Sequence, residues 1–177
     1  MSVAKTIAFE LSDKGINDAI RELRMYRIEL ERKTKELQRR IAERISQEAL
    51  ANFAGAVCDD LVGGGTRSAS VSISVEVGET TSVVIASGAD AAFCEFGAGV
   101  YHNGGKAMVG KSPHPKGTEL GMTIGSFGKG YGARRVWGYY EGDTLVLTRG
   151  TPASMPMYNA FKAVCAEIYT IAREVFE

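Results

Sequence analysis

One uninterrupted stretch of the sequence constrains the fold more than any other feature. Glycine and proline are both absent from residues 16–54, and apolar residues recur there at steps of three, four and seven. This spacing predicts a single long amphipathic helix over residues 16–54. One face carries leucines a heptad apart, at Leu23, Leu30 and Leu37. Because the helix is longer than a domain of this size needs for its own core, we expect its excess length to contact a partner.

The predicted helix is heavily charged as well as apolar. Between Arg21 and Arg44 it carries nine Lys or Arg residues and five Glu residues. One interpretation is a solvated face crossed by ion pairs four residues apart, such as Glu36 with Arg40. The other is a basic stripe that faces DNA or an acidic neighbouring subunit. The glutamates are interleaved throughout, which favours the solvated face, so DNA contact is left open and is not predicted.

Alternating apolar residues predict strands elsewhere in the chain. Residues 4–11 alternate loosely and predict a half-buried strand before the long helix. The strict alternation within residues 68–87 predicts a β-hairpin that turns at residues 78–80. A second hairpin is predicted over residues 136–150, with its turn at residues 141–143.

Capping residues mark where the helices begin. Asp13 or Asn17 can cap the long helix, and Asp90 is predicted to open a short helix over residues 90–96. The last helix is predicted over residues 154–176, with Ser154 as its cap and a proline in its first turn. Its predicted buried stripe consists of Phe161, Val164, Ile168, Ile171 and Val175.

Residues 97–135 lack clear periodicity, are rich in glycine, and contain both histidines of the chain. A loop of this length inside a compact domain is usually functional or mobile, so we expect a mobile loop here. The elements together predict one α+β domain over residues 1–177. Its small antiparallel β-sheet is expected to pack against the long N-terminal helix and the C-terminal helix.

Composition and charge argue against several classes of protein. The chain has 177 residues, and Lys+Arg and Asp+Glu both number 21. A chain of zero formal net charge has no overall field to hold a polyanion, so we do not expect it to coat DNA. Charged residues interrupt residues 1–15, which argues against a signal peptide, and no apolar run approaches the ~20 residues of a membrane span. We therefore expect synthesis in the cytoplasm and no membrane contact.

The cysteines do not form a recognisable framework. Cys58, Cys94 and Cys165 are far apart, odd in number, and include no CxxC pair. A disulfide framework would show an even count at tighter spacing. We therefore expect buried thiols in a reducing compartment.

Catalytic and metal-binding interpretations depend on the two histidines. Cys94 could form a thiol–imidazole pair with His102 or His114, as in a Cys/His hydrolase. The apolar surroundings of Cys94 favour an inert buried thiol instead. A metal site built from the same three residues would have spacings of eight and twelve, which match no zinc motif, and would lack a fourth ligand. We therefore predict no catalytic residue, no metal and no cofactor.

The glycine-rich segment GSFGKGYG, residues 125–132, invites a nucleotide-binding interpretation. A phosphate-binding loop needs Ser or Thr after its lysine and then a helix, whereas Lys129 is followed by Gly130 and a predicted strand. Phe127 and Tyr131 could stack on single-stranded nucleic acid. We favour an arm that becomes ordered on a protein partner.

Two short segments carry a resemblance to a known family. The first is CEFGAGVYHNGG, residues 94–105, and the second is GTPASMPMYNAF, residues 150–161. Together with the order of the predicted elements, they resemble the lambdoid-phage tail-completion family of minor tail proteins. Ala98 stands where the EFGTG segment of that family has threonine. The residues that match the start of the last helix are Pro152, Ala153, Pro156, Met157 and Ala160.

The resemblance implies a non-enzymatic structural subunit that completes a bacteriophage tail or joins it to the head. Such a subunit would reside in the virion and form a ring with copies of itself. Its partners would be other tail or neck proteins, without a small-molecule substrate. The alternatives are a Cys/His hydrolase used during infection or lysis and a DNA-contacting neck adaptor. Structural or interface roles are expected for Glu95, Phe96, Gly97, Gly99, Pro152, Pro156 and Phe161, and for the heptad leucines Leu23, Leu30 and Leu37.

Overall fold

The computed structural model describes residues 6–126 and 133–177, and within them the chain has the predicted α+β fold. The helices are α1 (Asp13–Ala54), α2 (Ala91–Phe96) and α3 (Pro156–Phe176), with a short 3-10 helix at Lys106–Met108. The strands are β1 (Val57–Asp60), β2 (Thr66–Ser68), β3 (Ser72–Val77), β4 (Ser82–Ser87), β5 (Trp137–Glu141) and β6 (Thr144–Thr148). Neither α1 nor any other described helix is long and apolar enough to cross a membrane.

The strands of the described residues form three two-stranded antiparallel sheets, β1–β2, β3–β4 and β5–β6, where the sequence predicted one sheet. The hairpins β3–β4 and β5–β6 fall inside the spans predicted for them. The unpredicted strand β1 meets the end of β6 through paired backbone bonds, from Asp60 N to Gly150 O and from Arg149 N to Asp60 O. The contact continues through the bridge of Leu61 with Thr148 and the bond from Val62 N to Leu147 O. The register of β1 with β2 shifts between Cys58 and Asp60, around Asp59, whose φ is 59°.

The start of α1 differs from the prediction. Residues 6–11 are irregular rather than a strand, and residues 4 and 5 of the predicted span lie outside the described residues. The carbonyl of Glu10 packs directly on Gly15, where a Cβ atom would lie 2.3 Å from the oxygen. The cap is Ser12, whose Oγ accepts a hydrogen bond from Gly15 N at 3.1 Å, and not Asp13 or Asn17.

Helix α1 contains 42 residues, which corresponds to about 63 Å. Its second half packs antiparallel against α3. At one end Asn52 Nδ2 donates to Pro156 O at 3.1 Å, and at the other Lys33 Nζ donates to Phe176 O at 3.3 Å. The predicted pair of Glu36 with Arg40 is present at 2.7 Å. Residues 13–32 extend beyond the end of α3, and we call them the projecting half.

The core brings two of the three cysteines together. Phe53, Ala56, Cys58 and Cys94 form one buried cluster. Cys58 on β1 and Cys94 on α2 are joined by a disulfide, with their Cα atoms 6.3 Å apart. The expectation of unpaired buried thiols was therefore wrong for these two residues, and it was wrong for Cys165 as well, which is unpaired but exposed. Their separation of 36 residues follows no sequence motif, since the fold alone makes them neighbours. A closure of this length stabilises a fold by about 3–4 kcal/mol in the chain-entropy description.

The shorter helices begin differently from the predictions. Asp90 precedes α2, but its carboxylate binds the Arg67 guanidinium at 2.7 and 3.0 Å and Ser70 N at 2.8 Å. Ser154 does not cap α3, because its hydroxyl donates to Cys94 O at 3.3 Å. Pro156 occupies the first position of α3, as predicted.

The described part of the 97–135 loop is irregular but contains buried residues. Val109 and Ile124 form an isolated parallel bridge. The buried side chains in this region are Ala98, Val100, Asn103, His114 and Ile124. Phe127, Lys129, Gly130 and Tyr131 lie outside the described residues. The mobility of the loop stays a prediction.

Candidate functional site

Glu95 connects the two segments that carry the family resemblance. Its side chain is 9% exposed, and its carboxylate accepts hydrogen bonds from Met157 N at 2.8 Å and Tyr158 N at 2.9 Å. These are the second and third residues of α3, whose amides have no acceptor within the helix. Glu95 therefore supplies, from a distance of about 60 residues in sequence, the cap that Ser154 was expected to supply.

Asn103 connects the same two segments through the backbone. Its Nδ2 lies 3.2 Å from Ala98 O, 3.1 Å from Gly99 O and 2.8 Å from Thr151 O. Its Oδ1 accepts from Ala153 N at 3.0 Å. Ala98 and Thr151 also exchange a pair of backbone hydrogen bonds, both of 2.9 Å. Asn103 is buried and satisfies groups on both segments at once. Sequence reasoning missed it because an Asn-Gly pair in a glycine-rich loop is typical of an exposed turn.

The two glycines of the first segment lie where a side chain would not fit. Gly97 has φ 78°, and a Cβ atom there would lie 2.6 Å from Asn103 Oδ1. Gly99 has φ 75°, and its Cβ would lie 3.1 Å from Arg149 O. Both positions favour glycine because of the positive φ and the close approach. We call the cluster of Glu95, Asn103, these glycines and the start of α3 the α3 junction.

His114 covers the outer side of Glu95. Its Nε2 lies 3.2 Å from Glu95 Oε1, and its side chain is only 7% exposed. The ring packs edge-on against Phe96, at 4.8 Å between centroids, and against Tyr158, at 5.1 Å. His114 is buried because the loop folds back onto the start of α3.

An apolar groove of about 780 Å³ lies beside the α3 junction. Its walls come from α1, β4, α2, α3 and the loop. Phe96 is half-buried in one wall, but Phe161 is 54% exposed at the rim, so its predicted burial was wrong. The first turns of α3 border the open groove instead of packing under a sheet. The other residues that line the groove include Val84, Ala86, His114, Lys116, Leu120, Met157 and Tyr158.

The two prolines of the second segment differ in burial. Pro156 is fully buried at the first position of α3, where its missing N–H costs no hydrogen bond. Pro152 is half-buried, next to the backbone pair of Thr151 with Ala98. Met155, which directly precedes Pro156, has the left-handed backbone angles φ 54° and ψ 50°, so the chain turns immediately before α3.

The projecting half of α1 exposes much of its apolar surface. Leu23 is 55% exposed and Leu30 is 42% exposed, whereas Leu37 is half-buried where the helix joins the domain. Ile16 and Ile20 are exposed too and share a face with the two leucines by helical spacing. We call Ile16, Ile20, Leu23 and Leu30 the projecting stripe.

The structure does not bring together Cys94, His102 and His114, the residues of the catalytic and metal-binding alternatives. Cys94 is bonded to Cys58, so its sulfur is not available as a nucleophile. His114 binds Glu95, whereas His102 Nε2 lies 2.8 Å from Asp60 Oδ2. Within residues 6–126 and 133–177, no three His, Cys, Asp or Glu side chains are arranged to hold a metal ion.

A second polar cluster lies around β1. The pKa of Asp60 is lowered by its hydrogen bond to His102 and by the Arg149 guanidinium at 2.9 Å. The Tyr139 hydroxyl donates to Asp59, and this bond together with burial raises the pKa of Tyr139 to about 12. Asp59 and Tyr139 are 80 residues apart, so no sequence spacing could indicate the contact.

The chain matches no protein-family model, no curated protein and no solved structure.

Proposed function

We propose that this protein is a non-enzymatic structural subunit of a bacteriophage tail or head–tail junction. It would complete the tail or join it to the head as a ring of identical subunits, and it would reside in the virion. Its partners would be further copies of itself and other tail or neck proteins. The observation that carries the proposal is the projecting half of α1, which reaches beyond the domain and exposes the projecting stripe.

The length and chemistry of the projecting half suit a subunit that must reach a neighbour. Its 20 residues extend about 30 Å at the rise of an α-helix. Contiguous apolar residues on an exposed helix face are typical of protein interaction sites. A contact between two different surfaces of identical subunits closes into a ring when the rotation permits.

Charge on α1 supports a protein partner over DNA. Several of its arginines are engaged by glutamates of the same helix, as in the pairs of Arg27 with Glu31 at 2.8 Å and Arg32 with Glu29 at 2.8 Å. Such pairing weakens the attraction to phosphate. The hydrolase alternative loses its nucleophile to the disulfide at Cys94.

The α3 junction gives the family segments a structural role. Glu95 and Asn103 use their hydrogen-bonding groups to fix the start of α3. Groups committed to such bonds hold the fold together and are not free to react with a substrate. This arrangement supports a scaffold that presents α1 and the loop to neighbouring subunits.

Self-association tests the proposal. We expect light scattering across a concentration series, with and without tail-tube protein, to show multimers of the wild-type protein. Leu23→Glu places a charge in the projecting stripe and should abolish them. Met25→Glu is the matched control, because Met25 is 60% exposed on the same helix but outside the stripe. A wild-type protein that stays monomeric and binds no phage structural protein would contradict the proposal.

Location in the particle is the second test. Mass spectrometry of purified virions from the phage or prophage that encodes the chain should detect it in several copies per particle. Its absence from intact virions would exclude a role as a tail or neck subunit.

A further inference from the structure

The side chain of His114 makes one hydrogen bond and one close polar contact. Nδ1 accepts from Lys116 N at 3.0 Å, which closes a tight turn two residues long. Nε2 faces Glu95 Oε1 at 3.2 Å. The turn is reinforced by Gly117 N, which donates to His114 O at 3.0 Å, and by His114 N, which donates to Ser112 Oγ at 3.2 Å.

These partners determine the tautomer of the neutral ring. A backbone N–H can donate to Nδ1 only when that nitrogen carries no proton. The single proton of the neutral imidazole is then on Nε2, which lies 3.2 Å from Glu95 Oε1. The assignment follows from the hydrogen-bond network.

A second proton would change only one of the two contacts. Protonated Nδ1 is a donor, so it would face the Lys116 N–H donor at 3.0 Å and the bond would be lost. The contact with Glu95 would persist, because a positive ring is attracted to the carboxylate. The ring would therefore stay in place while the turn at Lys116 opened.

We propose that His114 is a proton-operated latch that holds the turn at residues 114–117 closed when the ring is neutral and releases it when the ring is protonated. Lys116 and Leu120 line the loop wall of the apolar groove. Release of the turn would therefore alter access to the groove between α3 and the loop.

Other charged and titratable groups near the ring define the environment of the latch. Glu95 approaches it from α2 and Tyr158 from α3. Lys162 lies over the Tyr158 ring, with its Nζ 5.7 Å from the centroid. On the loop itself, the Lys116 ammonium pairs with Glu119 at 3.1 Å. The carboxylate of Glu95 is the group that retains the ring in both states.

Amide hydrogen exchange at Lys116, resolved by NMR, tests the latch. The wild-type protein should show a protected Lys116 amide at pH 8. After correction for intrinsic exchange, we expect protection to fall about tenfold at pH 5, as for the loss of one hydrogen bond. The amides of Gly110 and Ile124 serve as internal references, because their acceptors are the carbonyls of Ile124 and Lys111 and do not titrate.

Two substitutions separate the contacts of the ring. His114→Asn keeps an acceptor for an N–H two residues ahead, as in an Asx turn, and removes the titration, so Lys116 should stay protected at both pH values. His114→Gln can reach Glu95 but offers no acceptor at the δ position, so Lys116 should be unprotected at both. Equal protection of wild-type Lys116 at pH 5 and 8 would overturn the proposal. Ring nitrogen shifts that place the proton on Nδ1 at pH 8 would overturn it as well.

Discussion

The α3 junction and the projecting half of α1 are both built on a helix, but they differ in burial. The polar side chains of the junction are buried and hydrogen-bonded, whereas apolar side chains of the projecting half are exposed. At the junction, Glu95 and Asn103 are buried and bonded to backbone amides and carbonyls. On the projecting half, Leu23 and Leu30 face solvent, and the ion pairs connect residues of the same helix. The first region stabilises the fold and the second has apolar surface still to bury. Mutations should therefore act on folding in one region and on assembly in the other.

The largest effect should come from Glu95. Glu95→Ala removes the cap from Met157 N and Tyr158 N and leaves His114 without its carboxylate partner. We expect the free energy of unfolding to fall by about 2–4 kcal/mol, measured by urea denaturation. Glu95→Gln keeps an oxygen acceptor and should lose clearly less. If both variants were as stable as the wild type, the α3 junction would not stabilise the fold as this comparison requires.

Phe96 and Phe161 were both expected to have structural or interface roles, but their substitution by alanine should reduce stability by different amounts. Phe96 is half-buried against His114, so Phe96→Ala should cost about 2–3 kcal/mol. Phe161 is 54% exposed at the groove rim, and Phe161→Ala should cost about 1 kcal/mol or less. Thermal unfolding of the two variants side by side provides the measurement. Equal losses would mean that Phe161 is covered in solution, for example by a neighbouring subunit.

The contrast between these residues shows what sequence could and could not predict. The long helix and the two hairpins depend on local periodicity, which residues 16–54 and Val71, Ile73 and Val75 display directly. Residues 4–11 alternate in the same way and were predicted as a strand. The described part of that span is irregular instead, with Phe9 and Leu11 left exposed.

Most of the features that the sequence did not predict are contacts between residues distant in sequence. Glu95 caps a helix about 60 residues later, and Cys58 joins Cys94, although neither pairing has a sequence spacing that identifies it. The resemblance pointed to Glu95 and to the glycines as a set. It could not indicate that Asn103 and His114 complete the set, because buried polar residues in a loop look the same in sequence as exposed ones.

Tyr139 tests the polar cluster around β1 through its pH dependence. Its pKa is raised from the usual value near 10 to about 12 by the bond to Asp59, so the bond stabilises the fold below pH 10. That contribution is lost as the pH rises through 12. Tyr139→Phe should cost about 1–2 kcal/mol at pH 8, and its difference from the wild type should shrink above pH 10. A difference that stayed constant up to pH 12 would contradict the assigned bond.

The control for that measurement is the neighbouring tyrosine. Tyr140 is 73% exposed, and Tyr140→Phe should change the free energy of unfolding by about 0.5 kcal/mol or less at pH 8. Similar losses of stability for Tyr139→Phe and Tyr140→Phe would mean that the loss in Tyr139→Phe does not come from its hydrogen bond to Asp59.

The smallest effect on stability should come from Leu23. Substituting Leu23 and Leu37 in turn compares the two halves of α1 with the same residue type. Leu23→Ala removes exposed side-chain carbons and adds a better helix former, so the isolated subunit should change by about 0.5 kcal/mol or less. Leu37→Ala, two heptads along, removes a half-buried side chain and should cost more. Urea denaturation at a concentration too low for self-association gives both values. A larger loss for Leu23 than for Leu37 would mean that the projecting half packs against its own domain in solution, and its stripe would then not be a surface for a neighbouring subunit.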